Sequence, residues 1–411
     1  MKSEIHEFGK MIDGILSGLD GITAEDVDIE GKSIRYYRGS FWTQKQRQGN
    51  SLHEISYRAC FKPQLPDFFI RNLTDKDSTV FDPFNGRGTT VVQSAILGRK
   101  SIGIDVNPIS EVLTLPRIDI PKIDEIFERL DSISVDKQET ADIDLGMFFH
   151  EKTISEILSL KNYLVERYES RKEDNIDKWI RMVSTSRLTG HSSGFFSVYS
   201  LPPNQAASKE DQLRINEKLK QKPEYRDTKK IIKKKTNSLL RDVNQPGIRA
   251  RINSTGLHSK VTTFDCTKAS LLVNPETIDL TVTSPPFLDV VQYAKDNWLR
   301  CWFNGIDVDK VEKNIFTTSN VESWLKFIET VFKELYIITK KGGYIAFEVG
   351  EVRKGRINLD EYILKKGIVT GFEVVCVFIN DHIFTKTSNI WGVKNSKLGT
   401  NSNRIILMRK T

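Results

Sequence analysis

Cysteine is scarce here. The four that occur, Cys60, Cys266, Cys301 and Cys376, are scattered and form no Cys-x-x-Cys pair. That spacing indicates neither a zinc site nor a disulfide framework, so no metal is expected. Long apolar runs are also missing: none reaches transmembrane length, and no membrane partner is expected. Met1 to Leu19 mixes acids, bases and apolar residues at helical spacing and lacks the apolar centre of a signal peptide. A cytoplasmic location is therefore the expectation. No internal repeat is visible.

What the chain does have is length and positive charge. Its 411 residues allow about two or three domains and at least one large core. A hydrophobic fraction of 38% and a charged fraction of 28% fit a globular protein. A net charge of +7 and a pI near 9.0 favour a polyanionic partner.

The most informative stretch is Thr283-Ser284-Pro285-Pro286-Phe287. It follows an apolar run, Ile278 to Val282, broken only by Asp279, which reads as a buried parallel strand stopped by the two prolines. Proline has no N–H, so this corner presents acceptors: the Ser284 hydroxyl and the carbonyls around the prolines. Phe287 adds a face for stacking. The guest that suits such a corner is a flat heterocycle whose amine donates both hydrogens.

A second signal lies upstream. Ser78 to Phe81 reads as a strand, followed by Asp82-Pro83-Phe84-Asn85-Gly86-Arg87-Gly88-Thr89-Thr90 and a helix from Val91 to Leu97. Strand, glycine turn and helix form a nucleotide-binding βα unit, in which Gly86 and Gly88 permit positive φ and close approach to a ligand. The loop is not a phosphate-binding Walker A, because no Gly-Lys-Ser/Thr follows. Nor is it a full G-x-G-x-x-G, because Val91 takes the last glycine's place. The next strand, Ser101 to Val106, carries Asp105 near its tip, where such folds bind ribose hydroxyls. A third strand, Val261 to Phe264, ends at Asp265, an acceptor for an exocyclic amine.

These residues resemble the amino-methyltransferases, the DNA enzymes that methylate N4 of cytosine or N6 of adenine. Ser284-Pro285-Pro286-Phe287 resembles their motif IV, and Asp82 to Thr90 closely resembles motif I, with Arg87 where Ser is common. Asp105 matches motif II and Asp265 motif III. The helix around Pro66, with Phe61 and Pro63 before it, resembles motif X. The resemblance implies S-adenosyl-L-methionine as cofactor, held by Phe61, Pro63, Asp82, Phe84, Gly86, Gly88, Thr89, Asp105 and Asp265. It implies catalysis by Ser284, Pro285, Pro286 and Phe287. An acidic Asp82 suits a cofactor that carries an ammonium and a sulfonium. Double-stranded DNA is the implied partner, and a cognate restriction nuclease fits the same family; the oligomeric state is left open. Cytosine-C5 enzymes resemble one another in a Pro-Cys nucleophile, which this chain does not have. Ser before the prolines leans toward N4 of cytosine, with N6 of adenine as the alternative. A catalytically silent nucleic-acid-binding module is the rival of another class. The Asn-Pro-Pro-Tyr of protein-glutamine methyltransferases is absent.

Further strands are expected at Tyr344 to Val349, Phe372 to Ile379 and Arg404 to Met408. The fold expected is α/β: a class I methyltransferase domain with a seven-stranded, mostly parallel sheet and an antiparallel closing hairpin, plus a largely helical insertion. Four parts are expected: an N-terminal helix and basic, aromatic arm over 1–55; a cofactor-binding half over 56–110; an inserted target-recognition region over 111–260; and a catalytic half over 261–411. Motif I before motif IV is closest to the family's alpha group, although the insertion precedes motif III. Arg35 to Trp42 reads equally as a phosphate- or base-contacting arm or as a surface hairpin with core aromatics. Ser186 to Tyr199, rich in small hydroxyls and aromatics, is a candidate base-contacting surface. Lys229, Lys230, Lys233, Lys234, Lys235 and Arg241 suit phosphates or a solvated helix face. Tyr293 is a candidate pocket residue, Trp298 and Trp302 are core candidates, and His382 to Asn401 reads as a DNA-facing loop.

Overall fold

The computed structural model describes residues 12–14, 16, 21–29, 31–41, 49–58, 60–135, 141–202, 205–245, 247–286, 293–352, 357–381 and 402–411. Phe287, Trp42, the arm residues that follow it, and the His382 to Asn401 segment lie outside the described residues, as does the side chain of Tyr293.

One sheet organises the molecule. Its strands, in chain order, are β1 (Thr23–Ile29), β2 (Lys32–Gly39), β3 (Thr79–Asp82), β4 (Lys100–Asp105) and β5 (Lys260–Thr263). They continue with β6 (Ile278–Thr283), β7 (Thr339–Val352), β8 (Ile357–Asn358), β9 (Glu373–Asp381) and β10 (Ser402–Arg409). In space the order is β1-β2-β9-β10-β7-β6-β3-β4-β5, with β8 paired to β7. Strands β3 to β7 are mutually parallel, and β10 runs antiparallel between β7 and β9. The central strands read as apolar runs because both of their faces are covered: β6 is buried at every position but Asp279. The Asp279 carboxylate is compensated there by accepting from the Thr79 N–H at 2.7 Å and pairing with Lys340 at 2.7 Å.

The parallel part of the sheet starts at β3, winds outward through β4 and β5, and returns to β6 on the other side of β3. That reversal is the switch point of an open α/β sheet, where ligands bind beyond the carboxyl ends of the strands. Asp82, Asp105, Asp265 and Ser284 all fall at that edge.

The N-terminal expectation needs correction. The sequence suggests helix and link up to about residue 30, yet Thr23–Ile29 is a strand that pairs antiparallel with Lys32–Gly39. The turn works because Gly31 adopts φ 77° and donates its N–H to Asp28 Oδ1. β2 then extends the main sheet, parallel to β9. Tyr36 and Tyr37 are buried, Tyr37 stacks on Phe378, and Arg35 is paired with Asp26. Of the two readings of this stretch, the hairpin with core aromatics describes these residues. The sheet therefore has the seven expected strands, plus this hairpin and β8.

Between β4 and β5 the chain is helical, as expected for the insertion. Helices Glu151–Glu169, Asn175–Arg187 and Thr228–Leu240 bury Leu160, Leu164, Trp179, Ile180, Leu239 and Leu240. These side chains share one core with Val91, Val92 and Ala95 of the helix that follows motif I. The opposite face of the sheet is covered by helices Val321–Ile338 and Leu359–Thr370. Among the described residues, no helix is long and apolar enough to cross a membrane.

Two proposed recognition stretches turn out to be largely committed to packing. In Ser186 to Tyr199 the aromatics are core: Phe195 and Phe196 are buried, and the Arg187 guanidinium lies 4.0 Å over the Phe195 ring. Only His191, Ser192 and Ser193 are exposed there. In the lysine-rich helix, Lys233 pairs with Asp131, while Lys235 and Arg241 pair with Glu54. Lys230 and Lys234 remain exposed. Trp298 and Trp302 are half-buried against the insertion core and donate to Ala207 O and Asp142 Oδ1.

Candidate active site

The loop after β3 is shaped by two glycines with different duties. Gly86 sits at φ 51° and Gly88 at φ 77°, where L side chains are strained. A Cβ on Gly88 would lie 2.3 Å from Thr114 Oγ1, whereas one on Gly86 would meet nothing closer than Tyr57 at 3.7 Å. Gly88 thus lets the loop close on the helix behind it, and Gly86 keeps the cavity side open. Gly88 is also the N-cap of helix Thr89–Leu97. Arg87 between them is buried and aims its guanidinium away from the loop face, at Ile55 O (2.6 Å) and His53 O (3.3 Å). Arg117 donates to the Arg87 carbonyl. The Arg87 charge therefore holds the preceding segment in place and does not serve as a phosphate ligand.

Asp105 supports the same loop. One carboxylate oxygen accepts the Gly86 N–H at 2.8 Å, and the other accepts the Asn107 N–H at 2.9 Å. Burial raises its pKa, opposed by those two bonds. Asp265 caps the next turn by accepting the Thr267 N–H and hydroxyl.

The Ser-Pro-Pro corner is tied to this loop from below. Thr283 Oγ1 donates to Asp82 Oδ1 at 2.7 Å, and Thr90 Oγ1 donates to the Val282 carbonyl at 3.0 Å. From the side, Trp324 Nε1 donates to the Pro286 carbonyl at 2.9 Å. The acceptors left at the corner are the Ser284 hydroxyl and the carbonyls of Ser284 and Pro285. Ser284 Oγ is buried and makes no hydrogen bond of normal geometry, although it is close enough to Glu348 to lower that carboxyl's pKa.

One cavity joins the two motifs. Phe61, Phe84, Gly86, Thr89, Asp105, Asp265, Ser284 and Pro286 all line it. Four other sequence candidates do not. Asp82 is buried beneath, its carboxyl committed to Thr283 and the Phe84 N–H. Gly88 faces Thr114. Pro63 caps helix Gln64–Leu73 and is buried, and Pro285 is buried in the turn. These four shape the wall from behind. The sequence reading missed Tyr57, Phe264, Asn314, Ile315, Phe316 and Phe327. Phe316 and Phe327 stack at 4.3 Å and 5°, forming an aromatic wall with Phe84 beside Phe327. These side chains come from separate elements, so no local pattern marks them.

Buried carboxyls surround the site. Burial pushes Asp82 up to about 7, against hydrogen bonds from Thr283 and the Phe84 N–H. Burial likewise pushes Glu348 of β7 up to about 7, against the bond from Asn403 and the nearby Ser284 hydroxyl. Behind the loop, burial together with Arg117 and Arg87 holds His53 at about 3, so it stays neutral.

Strand order and switch point are those of the class I methyltransferase fold. Residues 23–111 match the DNA methylase family profile. The chain is 23% identical over 340 residues to the type II methyltransferase M.BsoBI of Geobacillus stearothermophilus, covering 78% of this chain and 66% of that one. It is 35% identical over 85 residues to the type II methyltransferase M.MjaII of Methanocaldococcus jannaschii, covering 20% of this chain and 16% of that one. The chain thus spans about two thirds of the first relative's length and a small part of the second's. A solved SAM-dependent methyltransferase from Methanosarcina mazei overlaps 83% of this chain and 96% of its own, at 9% identity and a TM-score of 0.33, too loosely to carry weight. The sequence matches show what the chain is similar to: the DNA methylase profile over residues 23–111, and two type II methyltransferases over part of their length.

Proposed function

We propose that the protein transfers a methyl group from S-adenosylmethionine to the exocyclic amine of a base extruded from double-stranded DNA, with N4 of cytosine preferred. The observation that carries this reading is the shared cavity: Gly86 and Asp105 line it together with Ser284 and Pro286.

The cavity fits the cofactor on several counts. Phe84, Phe264, Phe316 and Phe327 can enclose a purine ring, and Asp105 and Asp265 can accept from hydroxyls and an amine. The Asp105 carboxyl, raised by burial, favours a positively charged guest, because a cation beside it restores its ionised form. The Arg87 guanidinium is engaged by the Ile55 and His53 carbonyls behind the loop. When bound, S-adenosylmethionine supplies an electrophilic methyl on sulfonium.

The rest is done by this chain. A duplex hides the amine, so the base must leave the stack. Ser284 Oγ and the backbone carbonyl by Pro285 accept its two N–H groups, and Phe287 stacks on the ring. Those bonds draw the nitrogen out of conjugation and aim its lone pair at the methyl. Positioning and fixed acceptors supply most of the acceleration, as expected where no covalent intermediate forms. The helical segment between β4 and β5 is assigned target recognition, with Lys230 and Lys234 as phosphate contacts.

DNA from cells expressing the protein, digested and analysed as nucleosides by mass spectrometry, tests this directly. N4-methylcytosine, lost in Ser284→Ala, is the expected result. N6-methyladenine alone would favour the adenine reading. DNA binding without cofactor and without either product would favour the silent module.

A further inference from the structure

Six arginines are buried among the described residues: Arg87, Arg117, Arg181, Arg187, Arg300 and Arg404. Five of them spend a terminal guanidinium nitrogen on an oxygen of the protein: Arg87 on Ile55 O, Arg117 on Leu52 O, Arg181 on Leu164 O, Arg300 on Ser56 O and Arg404 on Asp360 Oδ2. Arg187 does not. It is 8% exposed, and its hydrogen bond runs from Nε to the carbonyl of Ser186, its neighbour in the chain. The guanidinium is held by its face instead, 4.0 Å from the centroid of the Phe195 ring. Stacking of that kind leaves the Nη edge available for an acceptor.

The surroundings add positive charge. Arg187 ends helix Asn175–Arg187. That helix is tied to the residue closing helix Trp298–Phe303 by Asn304 Nδ2 donating to Thr185 Oγ1 at 2.9 Å, and to helix Thr228–Leu240 by Trp179 Nε1 donating to Thr236 Oγ1 at 3.1 Å. Those two helices bring up Arg300 and Lys235. The carboxylate that acts on Arg300, Asp296, is already paired with Arg58 at 2.9 Å. Lys235 reaches Glu54 at 3.8 Å, while Glu54 is bonded to Arg241 at 2.9 Å. Burial, helped by Arg300, lowers Arg187 to about 10; burial, helped by Arg187, lowers Lys235 to about 8. Carbonyls at the end of the helix offset only part of such charge. A buried cation without a full counter-charge is costly, so the cluster favours an anion.

We propose that Arg187, backed by Arg300 and Lys235, binds a phosphodiester of DNA, the one flanking the extruded base. The inference rests on the methyl-transfer reading above and adds to it a recessed site apart from the exposed Lys230 and Lys234. Position in the fold says which phosphate. Arg300 lies 5.6 Å from the centroid of Tyr57 and donates to Ser56 O at 3.0 Å, and Tyr57 lines the cavity shared by Gly86 and Ser284. The cluster therefore stands just behind the cavity wall. Two Nη groups match two oxygens of one phosphate. A guanine edge would also suit the fork, but it is neutral and would leave the local charge unbalanced. Phosphates of a regular duplex are met at the surface. A recessed guanidinium is reached when the backbone is drawn inward, as extrusion of a nucleotide does. Binding there favours the extruded state and offsets part of the cost of unstacking.

The test uses the full chain with labelled S-adenosylmethionine and unmethylated plasmid DNA over a range of salt. Arg187→Gln should bind about 10-fold more weakly at moderate salt, with the log–log salt slope smaller by about 1. Lys235→Gln should move the slope the same way, and it supplies the reading should Arg187→Gln not fold. The melting temperature of unliganded Arg187→Gln should hold or rise, because an unbalanced buried charge has been removed. A lower melting temperature with an unchanged slope would make Arg187 a packing residue and overturn the proposal. The position is tested on a duplex carrying the site at which labelled methyl is recovered from the plasmid. Neutral methylphosphonate linkages are introduced one at a time around the modified base. At one linkage beside that base, the change should cost wild type about 10-fold in binding and Arg187→Gln less than about 2-fold. The same loss in both proteins at every linkage would refute the assignment. Should wild type bind plasmid DNA yet transfer no methyl group, the functional reading fails, while the salt slopes still decide for or against Arg187.

Discussion

Replacing Asp82 by asparagine should make the protein more stable in alkali. Asp82 is 1% exposed and carries a carboxyl raised from 3.8 to about 7, chiefly by burial. Below its unfolded pKa both states are protonated and the group is neutral in its effect. As pH rises from there, the unfolded chain ionises while the folded one resists, so folding loses about 1.4 kcal/mol per pH unit until the folded pKa is passed. From about pH 5 to about pH 8.5 this amounts to roughly 3 kcal/mol, a large part of a typical domain's stability. The amide introduced by Asp82→Asn keeps an acceptor for Thr283 and the Phe84 N–H but cannot ionise. Urea unfolding of unliganded wild type and Asp82→Asn at both pH values isolates the effect, because Asp105 and Glu348 titrate in both proteins. The difference between the two proteins should widen by roughly 3 kcal/mol toward alkaline pH. Parallel behaviour across the range would show that Asp82 is ionised at an ordinary pKa and that burial does not govern it.

Three further outcomes can be checked. Gly88→Ala should lower stability by about 1–3 kcal/mol, since its Cβ meets Thr114 in a left-handed backbone. Gly86→Ala should lower it by only about 1 kcal/mol; equal losses by thermal melting would contradict the division of labour between them. Asp105→Ala removes both a cavity acceptor and the anchor of the Gly86 N–H, so calorimetry should show cofactor affinity reduced about 10-fold or more and the melting temperature should fall as well. An affinity loss without any stability loss would mean the loop holds its shape unaided. Lys230→Glu with Lys234→Glu should weaken DNA binding and flatten its salt dependence, the log–log slope dropping by about 2; an unchanged slope would assign them to a solvated face.

The parts of the site that could be read from sequence are those where one short segment does one job. Asp82 to Thr90 must turn from strand to helix, and its glycines announce the turn. Asp105 and Ser284 announce themselves by ending apolar runs. The hairpin β1–β2 was hidden because Arg35-Tyr36-Tyr37 alternates charge and aromatics in a way that suits a nucleic-acid arm as well as an edge strand. The aromatic wall was invisible because Phe84, Phe316 and Phe327 meet only after the sheet has closed. Arg87 looked like a neutral variation; its bonds to His53 O and Ile55 O show it bracing the loop from behind. Glu348 did leave a trace, a lone carboxyl inside Tyr344 to Val349, but its meaning depends on the register with β6.

The helix after motif I is buried on both sides, by the sheet and by the inserted helices. The inserted helices are therefore not a detachable module. Exchanging the insertion with that of a relative would strip the packing from Val91, Val92 and Ala95, and the cofactor loop would loosen with it. A graft that exchanges the insertion has to carry Thr89–Leu97 along with its covering helices.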